Sequence, residues 1–296
     1  MKTKTFTIHF LTPCFCGGAN PSKAEIRPSE IRGQLRWWFR ALGGLRDEEE
    51  TIFGGAAGNT GKASSIIVRC ERTGTTANNK NKDWYNKIPK DGVKPITYLL
   101  GFFCGRTNRL TENGGIAPEE TAKIFITFRR ELSELLNKKL DLALRAFFSI
   151  GAFGFRTTRT AGAFYSDEYR LNLQKWEDLK KDLESRGFNI YLFEKEFSTW
   201  IELCRFAGEK LKAIRKEPEL KPEDGKRSSP IGSADPRQTS ALHFRPVLID
   251  SKLRLALIEA PHNRVVGNRA KKLPRDKKSI LNYLEQKEPS IFENHL

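Results

Sequence analysis

Thr3-Lys-Thr-Phe-Thr-Ile-His-Phe-Leu11, the loop TPCFCGGANPS (residues 12–22) and the run IRGQLRWWFRAL (residues 31–42) together decide the architecture of this chain. In the first stretch Phe6, Ile8 and Phe10 alternate with Thr5, Thr7 and His9, the two-residue period of a strand with one buried face. Gly17, Gly18, Asn20 and Pro21 then end any regular ladder. After Pro28, Ser29 is placed to cap a helix whose Ile31, Leu35, Trp38 and Leu42 recur at spacings of four, three and four, and Gly43 and Gly44 stop it.

Working outward, the glycine-rich FGGAAGNTGKA (residues 53–63) leads into SSIIVRC (residues 64–70), which reads as a short buried strand. Residues 73–95 are rich in Asn, Lys, Thr, Gly and Asp, the composition of a surface insertion, with Trp84 and Tyr85 available to pin it. ITYLLGFF (residues 96–103) and AKIFITFR (residues 122–129) read as strands, and a helix is expected over residues 131–150 with Leu132, Leu135, Leu136, Leu140, Leu144 and Phe147 inward. The loop GAFGFRTTRTAGAF (residues 151–164) closes this half. A fainter second round follows: a strand over residues 169–173, a helix over residues 193–216, and a long exposed polar loop over residues 217–240, whose order in the absence of a partner the composition leaves open. ALHFRPVLID and KLRLALIEA then form a hairpin turning at Asp250 and Ser251, before a last helix over residues 277–286. This order predicts an α+β chain of two tandem ferredoxin-like (RRM-like) domains with insertions, residues 1–165 and 166–296, the second degenerate for want of a fourth strand.

The 296 residues carry 52 Lys and Arg against 36 Asp and Glu, a net charge of +16, with 38% apolar residues and mean hydropathy of -0.54. No stretch reaches the length of a membrane span and no secretion signal opens the chain, so a soluble, cytoplasmic protein is expected. Five scattered cysteines argue against a disulfide framework. The charge favours a polyanion partner, nucleic acid first, over a plain solubility surface, an acidic protein or anionic lipid.

On the first helix Arg32, Arg36 and Arg40 recur every four residues opposite the apolar stripe, a ridge of guanidiniums that continues from Arg27. Trp37 flanks it as a stacking face for a base, whereas Trp38 belongs to the core. In the glycine loop Gly151, Gly154 and Gly162 let the backbone approach a phosphate while Arg156 and Arg159 supply charged forks. The lysine of a nucleotide P-loop is missing and the helix precedes the loop, so no ATP or NAD site is read. Arg237, His243 and Arg245 extend the basic footprint, as does the run over residues 261–278. The alternative for each of these is a solvated basic face or a plain turn. Catalysis has little support: no esterase elbow, metalloprotease helix or paired-acid signature is present, and Cys14 and Cys16 lack a second pair for zinc. A metal-independent ribonuclease needs only one general base, for which His9, His243 and Asp235 are the candidates.

These blocks carry a resemblance. The opening strand running into TPCFCGGA, the helix IRPSEIRGQLRWWFRAL, the glycine loop, and the late GSADPRQTSALHFRPV resemble the RAMP superfamily of CRISPR proteins, and within it the family of the first subunit of type III-B (Cmr) effector complexes. The resemblance implies two ferredoxin-like domains, RNA bound without cofactor or metal, and a noncatalytic place beside other Cmr subunits. Guide and target RNA are then the partners, met near the guide's 3′ part, with neither a membrane nor a small-molecule cofactor. Thr157 and Thr158 between the loop arginines, and Ala161 before its last glycine, depart from the more uniformly basic loops of the family. Two other readings stay open: a stand-alone RAMP endoribonuclease acting on guide precursor, and a module that docks an acidic protein.

Overall fold

The computed structural model of the chain describes residues 1–55, 61–72, 88–89, 93–100, 114–220, 231–234, 237–266 and 279–294. Strands β1 (Lys2–Phe10), β2 (Ile66–Arg72), β3 (Thr121–Phe128) and β4 (Phe164–Ser166) form an antiparallel sheet in the order β2-β3-β1-β4. Helix α1 (Pro28–Ala41) joins β1 to β2 and α4 (Glu134–Ile150) joins β3 to β4. That order is the ferredoxin-like one, in which the third strand slots between the first two. Phe6, Ile8 and Phe10 are buried as their alternation predicts, and the Phe6 ring stacks 3.8 Å from Phe148 of α4.

The second half repeats the first three steps of this topology. Strand β5 (Asn189–Phe197), helix α6 (Trp200–Lys216) and the hairpin β8 (Leu242–Ile249) and β9 (Lys252–Glu259) give a sheet in the order β5-β9-β8, with no fourth strand among the described residues. The turn falls at Asp250 and Ser251, at φ of 49° and 62°, the left-handed pair that suits the twist of a tight hairpin. Both faces of β8 are covered. Leu242 and Phe244 join a core with α6, whereas Val247 and Ile249 join the core of the first sheet and α1.

Several local expectations are corrected. Helix α1 begins at Pro28 with Arg27 in the capping position and no side-chain cap, so Ser29 lies inside the first turn; proline suits the first helical position because its missing N–H is unpaired there anyway. ITYLLGFF is not a strand over its described part: residues 93–100 form helix α3 (Val93–Leu100), with Ile96, Leu99 and Leu100 buried against α6 at helical spacing. Leu135 is 61% exposed in the first turn of α4 and belongs to no inner face. The strand expected over residues 169–173 reduces to one bridge from Leu171 to Ile249, and helix α5 (Leu173–Glu184) follows directly. The helix expected from residue 193 starts at Trp200, capped by Thr199, and the residues before it are β5. The segment 217–240 is not an exposed loop at its ends: Leu220 and Ile231 are 1% and 2% exposed, and β6 (Ser233–Ala234) pairs with β7 (Arg237–Gln238).

The C-terminal helix (Ile280–Lys287) is anchored by one carboxylate. Glu259, 1% exposed at the end of β9, accepts from Ser279 Oγ (2.5 Å), Ile280 N (2.7 Å) and Leu281 N (3.1 Å), and pairs with His262 Nε2 at 2.7 Å. It replaces water at the helix N-terminus, where unpaired N–H groups and the helix dipole favour an anion. Glu259→Ala is expected to lower stability by roughly 3–5 kcal/mol, because it strands several buried donors at once. Glu196→Ala, at an exposed pair with Lys252 and Arg254, should leave the midpoint of a urea titration nearly unchanged.

Candidate nucleic-acid interface

The arginine ridge of α1 is held by an acid that helix α2 (Arg46–Phe53) supplies. Glu49, buried at 7% exposure, meets Arg40 Nη1 at 3.1 Å and Arg36 Nε at 3.4 Å, while Arg36 also donates to the carbonyl of Gly54 and lies over the Phe53 ring. Arg36 and Arg40 therefore spend part of their charge inside the chain, and an open cleft of about 430 Å³ lies among Arg36, Arg40, Arg46, Glu49 and Glu50. In the sequence Glu49 was one acid of three, and only the fold singles it out. Arg32, half-buried, keeps its Nε without a hydrogen-bond partner, and Arg27 is exposed at the helix start.

The glycine loop is a structural latch as well as a basic segment. Gly162 has φ of +65° and donates to the carbonyl of Pro13 at 2.9 Å; a Cβ there would sit 2.0 Å from the carbonyl oxygen of Phe153. Gly154, at φ of +95°, bonds the carboxylate of Glu30 in the first turn of α1, although burial pushes that carboxyl's pKa up against the opposing pull of Arg27 and of this bond. Gly151 ends α4, packed on the carbonyl of Phe147. The N–H groups of Gly154 and Gly162 thus face inward, which leaves Arg156, not the glycine amides, as the loop's outward basic chemistry. Arg156 is half-buried at φ of +64°.

Beyond the latch the loop runs beside β8. Thr160 N donates to Phe244 O and Phe244 N to Thr158 O, both at 3.1 Å, so RTTRT behaves as a short parallel edge on the second sheet. This carries Arg159 inside: it is 4% exposed, lies 5.5 Å over the Phe244 ring and donates to Ile231 O at 2.9 Å. Burial lowers its pKa to about 9, helped by the like charges of Arg215 and Arg156. His243 and Arg245 on β8 are 6% and 3% exposed, linked by Arg245 Nη2 donating to His243 Nδ1 at 3.2 Å, and Trp37 of α1 lies 5.0 Å from the His243 ring. Burial, then Arg245 and Arg159, hold His243 well below the usual imidazole range. The structure thus brings Trp37, His243 and Arg245 together on the α1 face of β8, with Arg159 on the opposite face over Phe244 and Arg27, Arg32, Arg36 and Arg40 along α1. The side chain of Arg237 and all of Asp235 lie outside the described residues.

Of the other candidates, His9 pairs with Asp167 at 2.9 Å on the open sheet face and stacks on Tyr165. Cys14 and Cys16 are buried in packing, burial driving the Cys14 thiol pKa up, and among the described residues no three His, Cys, Asp or Glu cluster as metal ligands. No described helix is long and apolar enough to cross a membrane.

The model of the RAMP superfamily matches residues 7–165, more than half of the chain and almost the whole of the first sheet unit. The chain belongs to the RAMP superfamily. Among curated RAMP relatives, the Cmr subunit Cmr1-2 of the Pyrococcus furiosus CRISPR system is 29% identical over 180 residues, which cover 55% of this chain and 94% of the relative. Among solved structures, Pyrococcus furiosus Cmr1 in its apo form superposes with a TM-score of 0.64 at 18% identity, over 95% of this chain and 93% of that one. A chain of the type III-B Cmr-beta complex bound to cognate target RNA and AMPPnP superposes with a TM-score of 0.56 at 15% identity, over 97% of this chain and 99% of that one. At these identities the superpositions show a shared fold over nearly the whole of this chain.

Two measurements test this junction. Arg36→Ala leaves Glu49 buried with Arg40 alone, and is expected to cost about 1–3 kcal/mol in denaturant unfolding; Trp38→Ala, which empties a side chain 2% exposed and stacked on Phe188, should cost roughly 3–5 kcal/mol. The second concerns acid. An unfolded histidine takes a proton below about pH 6.5, but buried His243 resists it, so the unfolded chain binds more protons there and stability falls as pH drops through that point. His243→Gln should flatten this slope in melting curves taken between pH 7 and the carboxylate range.

Proposed function

We propose that this chain is a noncatalytic RNA-binding subunit of a type III-B CRISPR effector complex. Its two units, residues 1–165 and 166–296, present one basic face to guide or target RNA near the guide's 3′ part, beside other Cmr subunits in the cytoplasm. The observation that carries the reading is the junction where α1, the glycine loop and β8 meet. Basic and stacking groups from both halves converge there, in a chain of net charge +16 whose relative is a Cmr subunit. Arginines and an accessible tryptophan suit a single strand, whose phosphates take charge and whose bases stack without sequence preference. Arg27, Arg32, Arg36, Arg40 and Arg156 are the phosphate contacts, and Gly151, Gly154 and Gly162 shape the loop that presents Arg156.

One observation favours a second reading, the metal-independent endoribonuclease. His9 is oriented by Asp167 as a general base is oriented by a carboxylate, with Arg170 near that acid at 3.8 Å. His243 does not suit that role, being buried beneath Trp37. Incubating the purified chain with CRISPR repeat RNA in EDTA separates the two. The subunit reading predicts intact RNA and binding whose logarithmic salt slope falls by about one unit in Arg32→Ala. Cleavage that disappears in His9→Ala contradicts it and establishes the nuclease.

A further inference from the structure

Among the exposed large apolar side chains of the described residues only two are aromatic, Phe155 and Tyr98, each 38% exposed. Each lies beside a guanidinium. Arg156 is 5.6 Å from the centre of the Phe155 ring, and Arg215 is 5.2 Å from that of Tyr98 and donates from Nη1 to its hydroxyl at 3.2 Å. The two pairs come from distant parts of the chain, Phe155 and Arg156 from the glycine loop, Tyr98 from α3 and Arg215 from the last turn of α6. They flank one residue: the like charges of Arg215 and Arg156 both press on buried Arg159, and Tyr98 pulls it the other way.

Both rings stand on fixed backbone. Phe155 N donates to Phe15 O at 2.9 Å, the preceding Gly154 bonds Glu30 of α1, and Arg159 N closes the turn onto Arg156 O at 2.8 Å. Tyr98 rides on α3, whose Ile96, Leu99 and Leu100 are buried and whose Pro95 carbonyl oxygen would lie 2.3 Å from a Cβ at Gly208 of α6. Rings held in this way lose little freedom when a flat partner settles on them. Phe15 and Phe153, close by in the same two loops, are buried, so the exposure is particular to Phe155. Glu30 also feels Arg27, which puts the Phe155 end of the loop beside the exposed start of the α1 ridge. The chemistry on offer is thus two ring faces set among guanidiniums. An acidic peptide or a free anion engages the guanidiniums alone. A single nucleic-acid strand engages both, its phosphates pairing with arginine while its unstacked bases lie on the rings.

We infer that Phe155 and Tyr98 are stacking platforms for bases of a single RNA strand, which passes from the start of the α1 ridge across the glycine loop onto α3 and α6, with Arg156 and Arg215 on its phosphates. The inference rests on the RNA reading, and adds to it that bases are held as well as backbone and that the strand continues beyond α1.

The test is fluorescence anisotropy of labelled dodecauridylate, and of an abasic ribose-phosphate oligomer of equal length, titrated with the full chain at several salt concentrations. Stacking predicts that the unmodified chain prefers the base-bearing oligomer. Phe155→Leu and Tyr98→Leu should each weaken that binding roughly tenfold, while the salt slope and the affinity for the abasic oligomer stay unchanged, because no charge is removed. Phe155→Trp is expected to bind the base-bearing oligomer at least as tightly as the unmodified chain, and serves if a Leu variant fails to fold. Arg156→Gln, by contrast, should weaken both oligomers and reduce the salt slope by about one unit. If either Leu variant binds the base-bearing oligomer as tightly as the unmodified chain, or Phe155→Trp binds it less tightly, the paired platforms are overturned and the RNA reading stands. A chain that binds neither oligomer overturns the RNA reading and the platforms with it. Polyglutamate that displaces dodecauridylate, and that the Leu variants bind more weakly, assigns the patch to an acidic protein and overturns the inference.

Discussion

The two hydrogen bonds between Thr158 to Thr160 and Phe244 constrain everything else in this molecule. They tie the glycine loop, the last connection of the first sheet, to an outer strand of the second. Gly162 clamps the same loop to Pro13, just past β1, so the first strand, the loop and β8 are positioned as one piece. Position-specific glycine follows from this. At Gly162 a side chain would collide with the Phe153 carbonyl, and the left-handed backbone would be strained as well. The strap also explains why β8 is buried on both faces: one side completes its own sheet's core and the other meets α1.

The same constraint decides which basic residues reach solvent. Arg159 is drawn over Phe244 and out of the loop's outer surface, and His243 and Arg245 are carried under Trp37. On α1 the ridge divides by position, because Glu49 of α2 holds the arginines of the third and fourth turns, while Arg27 acts on Glu30 and Arg32 keeps its Nε unpaired. The large positive charge is thus sorted into an outer set, suited to a passing backbone, and an inner set that meets no carboxylate among the described residues. Desolvation makes the inner set the more demanding of its partner.

Much of this fold was legible because its periodicities were unambiguous. The alternation from Phe6 to Phe10, the stripe from Ile31 to Leu42 and the turn at Asp250 and Ser251 each allow one structure only. The failures came where a pattern admits two answers. ITYLLGFF is short and largely apolar, which a buried helix and a strand share, and the burial of Ile96, Leu99 and Leu100 against α6 depends on residues about a hundred positions away. Phe193 and Phe197 continue the apolar spacing of α6 backwards, so the boundary at Thr199 was visible only as a cap. Of the site, the residue types were readable and the pairings were not. Nothing local announces that Glu49 folds back on Arg36 and Arg40, or that Arg159 turns inward while Arg156 does not, since both follow from contacts between elements distant in the chain.

The central claim is that one face, where α1, the glycine loop and β8 converge, receives the RNA. Amide hydrogen exchange on the full chain, with and without saturating single-stranded RNA at low salt, tests it most directly. The account predicts slowed exchange over residues 27–40, 154–162 and 242–246 and unchanged exchange in β2 and β3. Protection confined to the open face of the first sheet, around His9, Phe125 and Tyr165, would contradict it.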